Sequence, residues 1–188
     1  MKLVLASKSP RRREILSMVT TDFSVRVSGA DETINEATDL YDVPRVLALR
    51  KADATPIYDD EIIIGCDTVV ILGEEIMGKP IDKIDAERML ASLSGSTHYV
   101  VSGIAVKTAE KTYSTKVVTA VTMRELTDGE IYSYVDKFNP VDKAGAYGIQ
   151  EMAGAFVEKI DGDFYNVVGL PLCELVVILR DEFGVKLI

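Results

Sequence analysis

Glu61-Ile-Ile-Ile-Gly-Cys-Asp-Thr-Val-Val-Ile-Leu72 contains the longest nearly apolar stretch of the chain, and its reading decides the fold. β-Branched residues dominate it, as on the pleated, half-buried surface of a central strand. Gly73 then signals a turn, and Glu75 to Met77 reads as a short return strand. The run is too short to span a bilayer. One residue is out of place: Asp67 lies in its middle. An unpaired buried carboxylate is costly, so Asp67 must be ion-paired, metal-bound, or at a strand end facing a cleft. A structural salt bridge is the competing reading. In a regular strand Asp67 and Thr68 face opposite sides, so a shared ligand requires the strand to end or bulge there. Gly65 would permit a bulge.

Outward from this strand, Lys2 to Ala6 is mostly apolar and reads as a second buried strand. Ser9-Pro10 opens a helix, with Ser9 as N-cap and Pro10 in the first turn. Phe23 to Val27 reads as a strand, and Pro44 to about Ala54 as a helix. Asp82 to Leu93 is helical, with Gly95 marking its end. Tyr99 to Lys107 and Thr112 to Arg124 form two long strands in a hairpin. Thr127-Asp-Gly-Glu130 is a capping box before the helix Ile131 to Asp136. Phe156 to Ile160 is a strand, and Pro171 to Phe183 a last amphipathic helix closed by Gly184. Strands and helices mix without strict alternation. The expectation is one α/β domain over residues 1–188, built on a mixed sheet.

The chain has 188 residues, 47% hydrophobic and 27% charged, which excludes disorder. Its net charge of −9 argues against nucleic acid as a partner. The N-terminal apolar run is too short for a signal peptide. Cys66 and Cys173 lack metal-ligand spacing and read as reduced core residues, so the expected location is cytoplasmic, with no membrane partner.

The bases are unevenly spread: Arg11, Arg12 and Arg13 crowd the opening of the first helix, where cations oppose the macrodipole. Either they bend away into solvent, or a bound polyanion reverses the local field. Ser7 and Ser9 add hydroxyls there. A small basic pocket in an acidic protein suits a small polyanion better than a duplex. Asp142-Lys-Ala-Gly-Ala-Tyr-Gly-Ile-Gln150 places glycines three apart beside an aromatic and an amide, as where backbone approaches a ligand or in a tight hairpin. Gly78-Lys79-Pro80 is a turn that can present one ammonium. His98, the only histidine, reads as structural.

Taken together, these segments resemble the Maf family of nucleotide pyrophosphatases. The matching stretches are Ala6-Ser-Lys-Ser-Pro-Arg-Arg-Arg-Glu14, Lys51-Ala52, Ile64-Gly-Cys-Asp-Thr-Val-Val70, Gly78-Lys-Pro80, Leu93-Ser-Gly95 with His98, Asp142 to Gln150, and Asn166-Val-Val-Gly-Leu-Pro171. They occur in the family's order over almost the whole chain. The resemblance implies an elongated mixed sheet flanked by helices, with two lobes around a deep nucleotide-binding cleft. It implies metal-dependent hydrolysis of nucleoside triphosphates to monophosphate and pyrophosphate. It places the catalytic carboxylate at Asp67, phosphate-binding side chains at Ser7, Arg12, Lys51 and Lys79, and a further acidic residue at Glu32. Arg11, Thr68 and Gln150 match the branch that prefers dTTP and UTP, whereas the branch acting on 7-methyl-GTP tends to carry glutamate at the position of Gln150. Cys66 and Glu151 depart from the family's usual alanine and glycine.

Cleavage of the α–β anhydride needs charge neutralisation, an activated water and in-line positioning. Bases from four segments can supply a clamp, and Asp67 with Glu32 can hold a divalent cation, Mg²⁺ or Mn²⁺. Asp67 can instead act as general base on the water. No Walker-type phosphate loop is present. Family members are also associated with arrest of septum formation, so a binding role in cell division is the alternative from another class. A homodimer is compatible with the sequence.

Overall fold

The computed structural model describes residues 1–35 and 37–188. Among the described residues seven strands form one sheet, and the long apolar run from Glu61 to Leu72 lies at its centre. β1 (Lys2–Leu5), β2 (Phe23–Val25), β3 (Glu61–Leu72), β5 (Thr97–Lys107), β6 (Thr112–Met123) and β7 (Val157–Asp161) lie in the order β2-β1-β3-β5-β6-β7, and β4 (Glu75–Met77) pairs with β3. β1 runs parallel to both neighbours, and the remaining pairings are antiparallel. The helices are α1 (Pro10–Ser17), α2 (Val43–Asp53), α3 (Lys83–Leu93), α4 (Asp128–Phe138), α5 (Phe164–Val168) and α6 (Leu172–Phe183).

Local signals set most of these boundaries. Ser9 caps α1 through its side chain, the Thr127/Glu130 capping box opens α4, and Gly95 and Gly184 take left-handed backbone just beyond helix ends. Three departures are informative. β2 stops at Val25, because β1, its partner, ends at Leu5. α5 follows Asp163, whose carboxylate accepts from the Tyr165 and Asn166 N–H groups; it is too short for helical periodicity to reveal. Cys173 is exposed, off the buried stripe Leu172, Leu175, Ile178 and Leu179 of α6, so only Cys66 is a core residue.

β3 does not bulge. It pairs with β5 without interruption from Ile63 to Ile71. What changes is its other edge: β1 covers β3 only to Ile64, and β4 covers it only from Val70. Residues 65 to 69 therefore have one open flank. Asp67 and Thr68 point to opposite faces of the sheet, yet both reach the notch in that flank.

Gly65 serves packing instead of a bulge. A Cβ there would meet the Ala48 carbonyl oxygen at 2.2 Å, and one on Gly103 would meet that of Pro44 at 2.2 Å. The two glycines let α2 lie flush on the sheet on the Asp67 side. On the opposite face two apolar cores meet end to end. One gathers Leu5, Ile64, Cys66 and Ile104 against α1 and α6; the other gathers Val70, Val100 and Val121 against α3 and α4. Between them runs a polar belt: Thr68 bonds Ser102 (2.7 Å), and the Asn166 amide donates to the Val100 carbonyl (3.0 Å) and Thr119 (2.9 Å). The belt marks the junction of the two cores.

Candidate active site

A cavity of about 740 Å³ opens at the notch. Ser7, Arg11, Arg12, Glu32, Lys51, Asp67, Thr68, Lys79 and Gln150 all line it, so the structure brings together the residues that the resemblance assigned to a site.

α2 delivers Lys51. With Gly65 holding the helix close, Lys51 Nζ lies 2.5 Å from Asp67 Oδ1 and 2.9 Å from Glu32 Oε1. Asp67 is thus ion-paired as well as cleft-facing, and its side chain is 13% exposed against 63% for Glu32. The Lys51 ammonium, by hydrogen bonding, holds the Glu32 carboxyl below the usual carboxylate range.

α1 delivers Arg12. Its guanidinium donates from Nε to the Gly169 carbonyl (2.8 Å), from Nη1 to Ser7 (3.2 Å) and from Nη2 to Thr68 (3.2 Å). Three of five N–H groups are engaged, which fixes the plane and leaves two for a ligand. The Ser9 N–H also donates to the Ser7 hydroxyl at 3.2 Å. Arg11 reaches the other wall, where Nη1 lies 3.5 Å from Asp142 Oδ2, and Arg13 is exposed. The crowded arginines therefore divide, two into the cavity and one to solvent.

The opposite wall is the segment from Asp142 to Gln150. Gly145 and the non-glycine Ala146 both take left-handed backbone (φ 66° and 62°), a strained arrangement at the cavity wall. The Gly145 N–H donates to the Gly78 carbonyl at 3.0 Å, tying this wall to the turn that carries Lys79. Tyr147 is fastened from behind, its hydroxyl 2.7 Å from Nε2 of buried His98. Burial lowers the His98 pKa to about 4 and raises that of Tyr147, so the pair is neutral near pH 7. Val70, Met77, Val100 and Tyr147 belong to one apolar core and form one apolar wall, beside which Gln150 stands exposed. Glu151 has its charge matched by Lys143, 3.5 Å away, which also pairs with Asp142 at 3.0 Å.

Four residues here had no role assigned from the sequence, although Lys143, Asn166 and Gly169 lie in the stretches that match the family. Gly169 offers the carbonyl that orients Arg12; Ser102 and Asn166 support Thr68 from the belt; Lys143 balances two acids. Ser102-Gly103 interrupting an apolar strand was the one visible signal for the belt.

The chemistry of such a cavity is defined: an anion clamp on one side, an apolar wall with an amide on the other, and paired carboxylates at the notch. Comparison with known proteins agrees. The model of the family described as "Maf-like protein" matches residues 2–182. A protein of Alkaliphilus metalliredigens named dTTP/UTP pyrophosphatase is 47% identical over 191 residues, covering 100% of this chain and 99% of the relative. One of the same name from Hahella chejuensis is 44% identical over 190 residues, 99% of this chain and 94% of the relative. A third, from Bacillus cereus, is 44% identical over 176 residues, 93% and 92% of the two chains. The chain belongs to the Maf family.

Proposed function

We propose that the protein hydrolyses the α–β phosphoanhydride of pyrimidine nucleoside triphosphates, dTTP and UTP, giving the monophosphate and pyrophosphate. The observation that carries this reading is the convergence, in one cavity, of the Arg12–Ser7–Lys79 clamp, the Asp67 carboxylate and the Gln150 amide. The activity named for relatives alike over their whole length supports it.

Arg12 and Lys79 neutralise the triphosphate, and the fixed guanidinium plane presents its free N–H groups without reorganisation. Tyr147 and Val70 offer the base an apolar wall, and Gln150 reads its edge. One amide donates and accepts, matching O4 and N3–H of uracil or thymine. A carboxylate would suit the two adjacent donors of guanine better, so Gln150 favours the pyrimidine reading over the 7-methyl-GTP one.

Asp67 and Glu32 fit a divalent cation. Both offer hard oxygen donors to one point, since a single ammonium already contacts the two. Among the described residues no three His, Cys, Asp or Glu side chains gather as a metal-binding group, so Asp67 and Glu32 would hold the cation with the rest of its oxygen ligands coming from outside the protein. When bound, Mg²⁺ or Mn²⁺ polarises phosphoryl oxygens and acidifies a coordinated water. Asp67 can also accept the proton of the attacking water. Among the described residues no helix is long and apolar enough to cross a membrane. The two free cysteines accord with a cytoplasmic setting.

The test is kcat/KM across UTP, dTTP, CTP, ATP, GTP and 7-methyl-GTP with Mg²⁺ or Mn²⁺. UTP and dTTP should lead GTP and 7-methyl-GTP, whose two adjacent donors a single amide cannot match, by about tenfold or more. Equal rates for all would remove base reading from the account.

A further inference from the structure

Lys51 Nζ occupies the point between Asp67 and Glu32 that the proposed function assigns to a divalent cation. An ammonium and a divalent cation cannot share it: three positive charges would face two negative ones at contact distance. The Lys51 side chain is 12% exposed and rises from a helix held flush on the sheet, so its freedom lies within the cavity. Among the described residues three acids line that cavity: Glu32, Asp67 and Asp142. Asp142 is already paired with Arg11 and Lys143. An ammonium displaced from Asp67 and Glu32 therefore finds its next anion in a ligand, and the phosphates of a bound nucleotide are there.

We propose that Lys51 is a placeholder cation, which holds Asp67 and Glu32 together in the free protein, yields them to the divalent metal, and turns to a substrate phosphate. This rests on the assignment of Asp67 and Glu32 to the metal. Its consequence is that metal and nucleotide bind as one coupled event. With no nucleotide present, the protein's own ammonium competes with the cation and keeps its affinity low. With nucleotide present, the competitor has a better partner. Lysine suits this role, being a compact point charge on a flexible stem, where arginine's planar fork would lock to one carboxylate.

The test is Mn²⁺ binding to nucleotide-free protein, read from the electron paramagnetic resonance signal of free Mn²⁺. Removing the competitor should tighten binding, so Lys51→Gln is expected to hold Mn²⁺ about tenfold or more tighter than wild type. Lys51→Met, which keeps the stem without the charge, should match it, and Lys51→Arg should stay near wild type. Thermal melts select the variants that remain folded. Adding Asp67→Asn to Lys51→Gln should abolish the gain. If Asp67-dependent Mn²⁺ binding is unchanged or weaker in both neutral variants, the placeholder role is overturned while the metal assignment stands. If binding in every variant ignores Asp67→Asn, the metal assignment itself fails, and the placeholder role with it.

Discussion

Asp67 and Thr68 are adjacent in one uninterrupted strand, project to opposite faces of the sheet, and line the same cavity. Lys51 approaches Asp67 from the α2 face, and Arg12 approaches Thr68 from the α1 face. The gap between the end of β1 at Leu5, opposite Ile64, and the end of β4 at Met77, opposite Val70, makes this possible, because it lets two opposed side chains meet one ligand around the strand's open flank. The Asp67 carboxylate and the Arg12–Thr68 contact are in this way placed by sheet topology, with no backbone distortion in β3.

Asp67→Asn keeps the shape and removes the charge that a base or metal ligand needs. Turnover of UTP should fall by roughly 10²–10⁴. Lys51 keeps Glu32 as a partner, so the variant should fold, with a melting temperature lower than wild type because a half-buried ammonium loses one of two anions. Steady-state rates and a thermal melt decide this; activity within a few-fold of wild type would make Asp67 structural.

Gln150→Glu should weaken UTP and dTTP by about 1–3 kcal/mol, as the new carboxylate faces the O4 lone pairs. The ratio of kcat/KM for UTP to that for 7-methyl-GTP should fall. Gln150 stands at the cavity rim, so little effect on stability is expected. An unchanged ratio would mean that Gln150 does not read the base.

Gly65→Ala puts a methyl group 2.2 Å from the Ala48 carbonyl oxygen, a contact relieved only by lifting α2. The expected cost is about 1–3 kcal/mol, typical of overpacking. Lys51 rides on α2, so kcat should fall too. Urea midpoints and rates measure both, and a wild-type midpoint would contradict the flush packing of α2.

His98 gives stability a signed pH dependence. Its pKa is about 4 in the fold and 6.5 when exposed, so between these values the unfolded chain binds a proton that the folded chain refuses. Stability is full above pH 6.5 and declines as pH falls toward 4, by about 3 kcal/mol at most. His98→Gln should flatten this slope in urea titrations at pH 4 to 7. Parallel slopes in the two proteins would place the proton elsewhere.

Much of this was legible in the sequence for reasons that are local. The β-branched run named β3, and Ser9, Thr127, Gly95 and Gly184 named helix ends through their own backbone chemistry. Asp67 stood out because a carboxylate in an apolar strand demands a partner. Long-range facts were not legible. Gly65 suggested a bulge, since nothing in the strand tells that a helix from residues 43 to 53 will lie on it. The division of Arg11 and Arg12 between two walls depends on Asp142 and Gly169, more than a hundred residues away. The belt of Thr68, Ser102, Thr119 and Asn166 draws on four elements, each showing only an ordinary polar residue.

The proposed reaction is attack of water, directed by Asp67, on the α phosphorus of a pyrimidine nucleoside triphosphate. UTP hydrolysed in ¹⁸O-enriched water with Mg²⁺ or Mn²⁺, and followed by phosphorus NMR, tests it most directly. UMP and pyrophosphate are the expected first products, with ¹⁸O on the UMP phosphorus and none in pyrophosphate, and this turnover should be lost in Asp67→Asn. Orthophosphate as the first product, or ¹⁸O in pyrophosphate, would contradict it.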